Sequence, residues 1–186
     1  MSTTVLEPRR SRIFLGIALP LAAGVLAAFA IGSQTGVAPV IMVCAAIYLF
    51  AAAIGRRWAS WAGFGISFLV LAPGFVLDDP WIPIITLGAI QIVLVIVGLV
   101  RGAWRTRVNL LQLAGAVLFS ALAVAAAAGA APWAGIVTVF ALLAHGAWDL
   151  WHHHLDAVVM RSYALFCASL DIVLAVIVAV AMIAGV

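Results

Sequence analysis

The chain has 186 residues, of which 68% are hydrophobic and 8% charged, and its nine arginines, five aspartates and one glutamate give a formal net charge of +3. A soluble domain carries about 25% charged residues, and a chain of this size cannot hide so much apolar area beneath its own surface. Soluble globular enzymes and disordered proteins are therefore excluded, and lysine is absent altogether, which rules out a Walker A phosphate loop and any Schiff base to retinal or pyridoxal phosphate.

Residues 1–12 form a tail with Arg9, Arg10 and Arg12, expected to be cytoplasmic. Residues 13–186 read as one all-α, polytopic membrane bundle. A transmembrane helix takes about 20 mostly apolar residues. Seven such runs follow, at 13–32, 37–55, 59–77, 82–100, 108–129, 133–152 and 163–186. The first is longer than the roughly 7–15-residue core of a signal peptide, so it reads as a retained helix. Pro73-Gly74 is expected to end the third run early. The connections are short and carry the turn chemistry: Ser33 to Gly36, Arg56-Arg57, Asp78-Asp79-Pro80, Arg101 to Arg107, Gly129 to Pro132 and His153 to Arg161.

Seven spans place every arginine on one side of the membrane. Arg9, Arg10 and Arg12 precede the first span, Arg56 and Arg57 follow the second, Arg101, Arg105 and Arg107 follow the fourth, and Arg161 follows the sixth. The other side carries Asp78 and Asp79. Positive charge marks the cytoplasmic face, so the expectation is a multi-pass protein of a bacterial-type inner membrane, with the N-terminus inside and the C-terminus outside. The arginines then serve topology, and no nucleic-acid partner is expected. Residues 59–72 and 131–144 match at half their positions, among them Trp61, Gly63, Phe68 and Leu71. That offset is compatible with an inverted 3+3 repeat plus one helix. Two alanine-rich helices starting on an interfacial tryptophan also match this well by chance, and the other span pairs match poorly.

All four histidines fall within ten residues, His145, His152, His153 and His154, in the run HGAWDLWHHHLD, which also holds Asp149 and Asp156. At about 100° per residue, His145, Asp149, His152 and Asp156 share one narrow stripe of the sixth span. His153 sits at its edge, His154 points away, and Trp148 and Trp151 flank it as interfacial anchors. Asp171, in the seventh span, is as far from a turn near residue 158 as His145 is, so an antiparallel hairpin sets the two at similar depth. A carboxylate in the hydrocarbon costs about 2.5–3.5 kcal/mol on insertion scales, and no arginine lies within the spans. A bound metal, a shared proton or an aqueous path must compensate.

The leading expectation is a metal-dependent membrane enzyme acting on a lipid or isoprenoid-like substrate. His145, Asp149, His152 and Asp171 would be the ligands of a divalent metal (zinc, iron or manganese), and His153 or Asp156 the catalytic proton carrier. The alternative is a proton- or cation-coupled transporter using the same ladder, and the third reading is a structural or assembly protein. Asp149 to His153, a DxxHH run, resembles one HxxHH box of the membrane desaturases and hydroxylases. Those families spread their histidines over several boxes, so the resemblance implies no residue roles here. Cys44 and Cys167 form no CxxC and read as small buried hydrophobes rather than thiolate ligands. Tyr48 and Cys44, one helical turn apart, read as packing, as does Gln91. Asn109, Gln112 and Ser120 share a stripe of the fifth span and read as interhelical hydrogen-bonding groups that could also support the ladder.

Overall fold

The computed structural model describes residues 35–130 and 132–185; the first predicted span and the tail before it lie outside the described residues. A 3-10 turn at Thr35–Val37 leads into α1 (Ala38–Ile54), followed by α2 (Ala59–Leu77), α3 (Trp81–Val100), α4 (Arg107–Ala128), α5 (Trp133–Leu155) and α6 (Arg161–Ala184). A second 3-10 turn, Ala103–Arg105, precedes α4. These six helices fall within three residues of the second to seventh predicted runs at every end. Five of them, α2 to α6, are long and apolar enough to cross a membrane, and the architecture is that of a multi-pass membrane protein.

The remaining helix, α1, explains the packing. α1 has 17 residues and is apolar on every face, and all of it except Val40, Phe50 and Ile54 is buried. A helix that is hydrophobic all round belongs inside. α1 is accordingly the central post, touching α2, α3, α4 and α5. The outer helices turn apolar side chains outward instead: Leu69, Val76 and Val100 are 76%, 81% and 84% exposed. In water such surface would be prohibitive; in lipid it is the expected exterior.

Apart from the buried Asp149 and Asp171, the described charged residues lie at the two ends. Arg101 Nη2 donates to the carbonyl of Ile54 (3.1 Å), tying the end of α3 to the end of α1. Arg57 Nε donates to the carbonyl of Val159 (3.1 Å), and its Nη2 pairs with Asp156, tying the α1–α2 loop to the α5–α6 loop. All six described arginines therefore lie at one end, and Asp78 and Asp79 at the other.

Two close approaches set the helix corners. α2 does not stop at Pro73; it continues to Leu77, because tertiary packing outweighs the one backbone hydrogen bond that proline forfeits. Gly74 makes this possible, since a Cβ there would lie 2.6 Å from the Pro83 ring of α3. At the arginine end, the Trp104 indole lies on Gly98 and donates to the carbonyl of Val95 (3.0 Å). The two segments compared as a repeat sit in unlike places: α2 is 22% buried over its apolar window, while α5 packs against α6 and is 44% buried.

Gly98→Ala puts a methyl 2.1 Å from the Trp104 ring and should cost about 1–3 kcal/mol through overpacking. Gly65→Ala, where nothing lies within 4 Å, should leave stability equal or higher. Thermal unfolding of the two variants in detergent checks the contrast, and equal midpoints would refute the Trp104 packing.

Candidate metal centre

Three helices bring ionisable groups to one level. Cys44 lies ten residues before the end of α1, His145 ten before the end of α5, and Asp171 ten after the start of α6. At 1.5 Å per residue this sets all three about 15 Å from the arginine end, near the middle of a hydrocarbon layer about 30 Å thick. In the α5–α6 hairpin Gly146 faces the Ala168 carbonyl and the Asp171 Cβ, which a Cβ there would meet at ordinary van der Waals distance.

His145 Nδ1 stands between two carboxylates. It lies 2.8 Å from Asp171 Oδ2 in a hydrogen bond and 3.3 Å from Asp149 Oδ2 at ion-pair distance without hydrogen-bond alignment. Asp149 Oδ1 accepts a 2.6 Å hydrogen bond from the Tyr48 hydroxyl of α1. The Cys44 thiol points at Asp171 Oδ1, 3.7 Å away. His145, Asp149 and Asp171 are 0–1% exposed and Cys44 5%, so water does not solvate these charges. Two carboxylates share one imidazole, the chain has no lysine, and the only arginines in the described helices, Arg107 and Arg161, stand at helix starts, far from the cluster. The His145 Nε2 atom has no hydrogen-bond partner among the described residues, and its ring is held edge-on by Phe119 and Tyr48.

Cys44, His145 and Asp171 each offer a ligand atom, and these atoms lie within 4.8 Å of one another. Donors at 2.0–2.3 Å around a tetrahedral ion stand about 3.3–3.7 Å apart, so the Cys44–Asp171 spacing fits such an ion as it is. The His145–Asp171 contact would open by about 0.5–1 Å as the proton between them leaves. The group is thus a possible His/Cys/Asp metal site, with Asp149 beside it.

The sequence-derived site divides. His145, Asp149 and Asp171 come together as their spacing implies. His152 is buried on the same stripe but is engaged elsewhere: its Nδ1–H donates to the Trp148 carbonyl (2.9 Å), which leaves Nε2 to accept from the Gln112 amide (2.9 Å). Both nitrogens are used, so His152 braces α5 against α4 and the structure does not group it with the metal-ligating atoms. His153 Nδ1 donates to the Arg161 carbonyl (3.0 Å) at the helix end. Asp156 leaves α5 in the left-handed conformation (φ 51°) and pairs with Arg57. Neither reaches the cluster, because the stripe ends with the helix at Leu155.

The reading of Cys44 as a plain hydrophobe and of Tyr48 as packing is corrected: both face the carboxylates. Their i, i+4 spacing on an otherwise apolar helix was the available signal, since only one face of α1 carries polar atoms at that depth. Of the fifth-span stripe, Gln112 supports His152, Ser120 donates to Gln91 Oε1 on α3 (3.1 Å), and Asn109 bonds the Ala103 carbonyl (2.8 Å) away from the site. Comparison with protein-family models, curated proteins and solved structures finds nothing that matches this chain.

Removing the Tyr48 hydroxyl leaves a buried carboxylate oxygen without its donor. Tyr48→Phe should therefore destabilise the protein by about 1–3 kcal/mol, read as a lowered unfolding midpoint in detergent; an unchanged midpoint would show that this bond is not formed.

Proposed function

We propose that the chain is a cation-handling membrane protein that binds a divalent transition metal at Cys44, His145 and Asp171, with Asp149 as the fourth donor, and carries it across the bilayer in exchange for protons. The observation that carries this reading is a sulfur, nitrogen and oxygen donor set enclosed at mid-depth, where transporters place their ion sites. Metal binding expels the protons that the thiol and the imidazole hold, so loading the site with metal and loading it with protons compete. Zinc suits thiolate, imidazole and carboxylate together best, with iron and manganese behind it.

A metal enzyme acting on a lipid or isoprenoid-like substrate ranks below this. Its substrate must reach donors that are at most 5% exposed. The apolar cavity of about 140 Å³ that opens between α1, α2 and α3 is lined on α1 by Val43, Ala46, Ile47 and Phe50, on the side of that helix away from Cys44 and Tyr48. His153 and Asp156, the proton carriers that reading assigns, stand at the membrane edge.

Protein purified in detergent and equilibrated with zinc should hold about one equivalent by elemental analysis. Cys44→Ala, His145→Ala and Asp171→Asn should each weaken binding by tenfold or more. Circular dichroism confirms that the variants are folded. Metal content indifferent to all three substitutions would overturn the site. In liposomes, zinc uptake driven by a pH gradient should vanish in Asp171→Asn; stoichiometric zinc with no flux would remove transport and leave the metal site standing.

We also infer that the arginine end faces the cytoplasm of a bacterial-type plasma membrane, following the positive-inside rule. A periplasm-dependent phosphatase reporter fused within the Asp78-Asp79 loop should be active, and one fused at Arg105 inactive; the reverse pattern would invert the topology.

A further inference from the structure

An open cleft of about 660 Å³ lies between the α1–α2 and α5–α6 loops, walled by Arg56, Arg57, Trp58, Asp156, Arg161 and Ser162. It is remote from the buried cluster and independent of the metal reading. Three guanidinium groups meet a single carboxylate there. That carboxylate, Asp156, is taken by Arg57, which is further held by the Val159 carbonyl. Arg56 and Arg161 have no ion-pair partner among the described residues, and both are exposed. The Arg57–Asp156 pair thus works as a latch that fixes the two loops and leaves two unpaired positive groups on one cavity. The turn that presents the Val159 carbonyl holds Val158 at φ 67°, a conformation that a β-branched residue adopts only when its surroundings impose it.

Two like charges held on one cleft repel unless an anion lies between them. Guanidinium matches the paired non-bridging oxygens of a phosphate in a planar, two-point fork. Ser162 adds a hydroxyl whose oxygen already accepts from Trp61 Nε1 (3.3 Å), leaving its proton free to donate. No acidic residue stands in the first turn of α6 to cancel the field of that helix end. The setting selects the source of the phosphate: Trp58, 60% exposed, stands on the cleft wall, and exposed tryptophan at a span end marks the headgroup layer.

We propose that this cleft binds the phosphodiester headgroup of an anionic phospholipid, with Arg56 and Arg161 gripping the phosphate oxygens and Trp58 lying against the glycerol backbone. Basic pockets between span ends are suited to this role because each guanidinium near the surface raises the affinity for anionic lipid severalfold. A zwitterionic lipid offers the same phosphate but brings a cation into a cleft that already holds a positive excess.

The test uses spin-labelled phosphatidylglycerol and phosphatidylcholine with the full chain in lipid vesicles, reading the motionally restricted fraction of each label. The wild type should prefer phosphatidylglycerol by about fivefold or more, and Arg56→Gln with Arg161→Gln should remove most of that preference. Arg105→Gln with Arg107→Gln, two arginines at the same end outside the cleft, should keep it. If that second pair lowers the preference as much as the first, the effect is diffuse surface charge and the cleft is not a site. If inorganic phosphate displaces the labelled lipid where chloride of equal ionic strength does not, the cleft takes the free anion and the lipid assignment falls. Circular dichroism of both double variants shows that neither result reflects misfolding.

Discussion

The structure turns on one electrostatic constraint: two carboxylates, Asp149 and Asp171, are buried around a single imidazole at a depth where no arginine of the described chain can follow. Each carboxylate left alone in hydrocarbon costs several kilocalories per mole, and a half-satisfied polar network is worse than an apolar core. The surrounding helices are arranged so that three of the four carboxylate oxygens meet a donor, Asp149 Oδ2 being the exception. Tyr48 comes from α1, His145 from α5 and the Cys44 thiol again from α1. The arrangement needs three helices in fixed register, which makes the cluster as much a determinant of the fold as a product of it.

That requirement explains the odd member of the bundle. α1 is shorter than its neighbours, about 25 Å at 1.5 Å per residue, and would leave lipid-exposed backbone ends if it stood on the outside. Enclosed by other helices it meets no lipid along most of its length, and its ends are met by the protein itself, as where Arg101 caps the Ile54 carbonyl. A short enclosed helix can carry a cysteine and a tyrosine at mid-depth without exposing either to the acyl chains. The outer helices, α2 above all, then need only apolar exteriors and a few close corners such as Gly74 against Pro83.

Hydropathy and turn residues made the helix boundaries legible, because each span ends on charge, proline or glycine and the loops are too short to hide an error. Equal distance from the hairpin turn made the His145–Asp171 pairing legible too. The remainder of the site was not, for a reason seen in His152. Helical periodicity says which residues share a face and nothing about what stands opposite. His152 shares the buried stripe with His145, yet it faces Gln112 of α4 while His145 faces Asp171 of α6. Cys44 and Tyr48 were hidden by the converse. On a helix so apolar, two residues one turn apart mark a face but not what it meets, and that this face met α5 and α6 depended on three-dimensional packing. Pro73 belongs to the same class: its local penalty predicts an early helix end, but the helix continues to Leu77 because contacts from another helix outweigh that penalty.

The donor set also sorts the ions that such a site can accept. Calcium and magnesium take oxygen ligands almost exclusively and in larger number than two side-chain carboxylates provide. A thiol and an imidazole in the same small group disfavour both. Among transition ions, sulfur shifts the preference towards zinc and iron and away from manganese, which favours oxygen-rich sites. Asp149 stands beside the group that could hold an ion. It sits beside the imidazole without hydrogen-bond alignment and is braced at its other oxygen by Tyr48. On the proposed metal reading, its unpartnered Oδ2 beside His145 is the atom placed to become a fourth ligand. The hydrogen bond that His145 makes with Asp171 is therefore what a metal, on the proposed reading, would have to displace to enter. On that reading the competition between the two resides in the same few atoms.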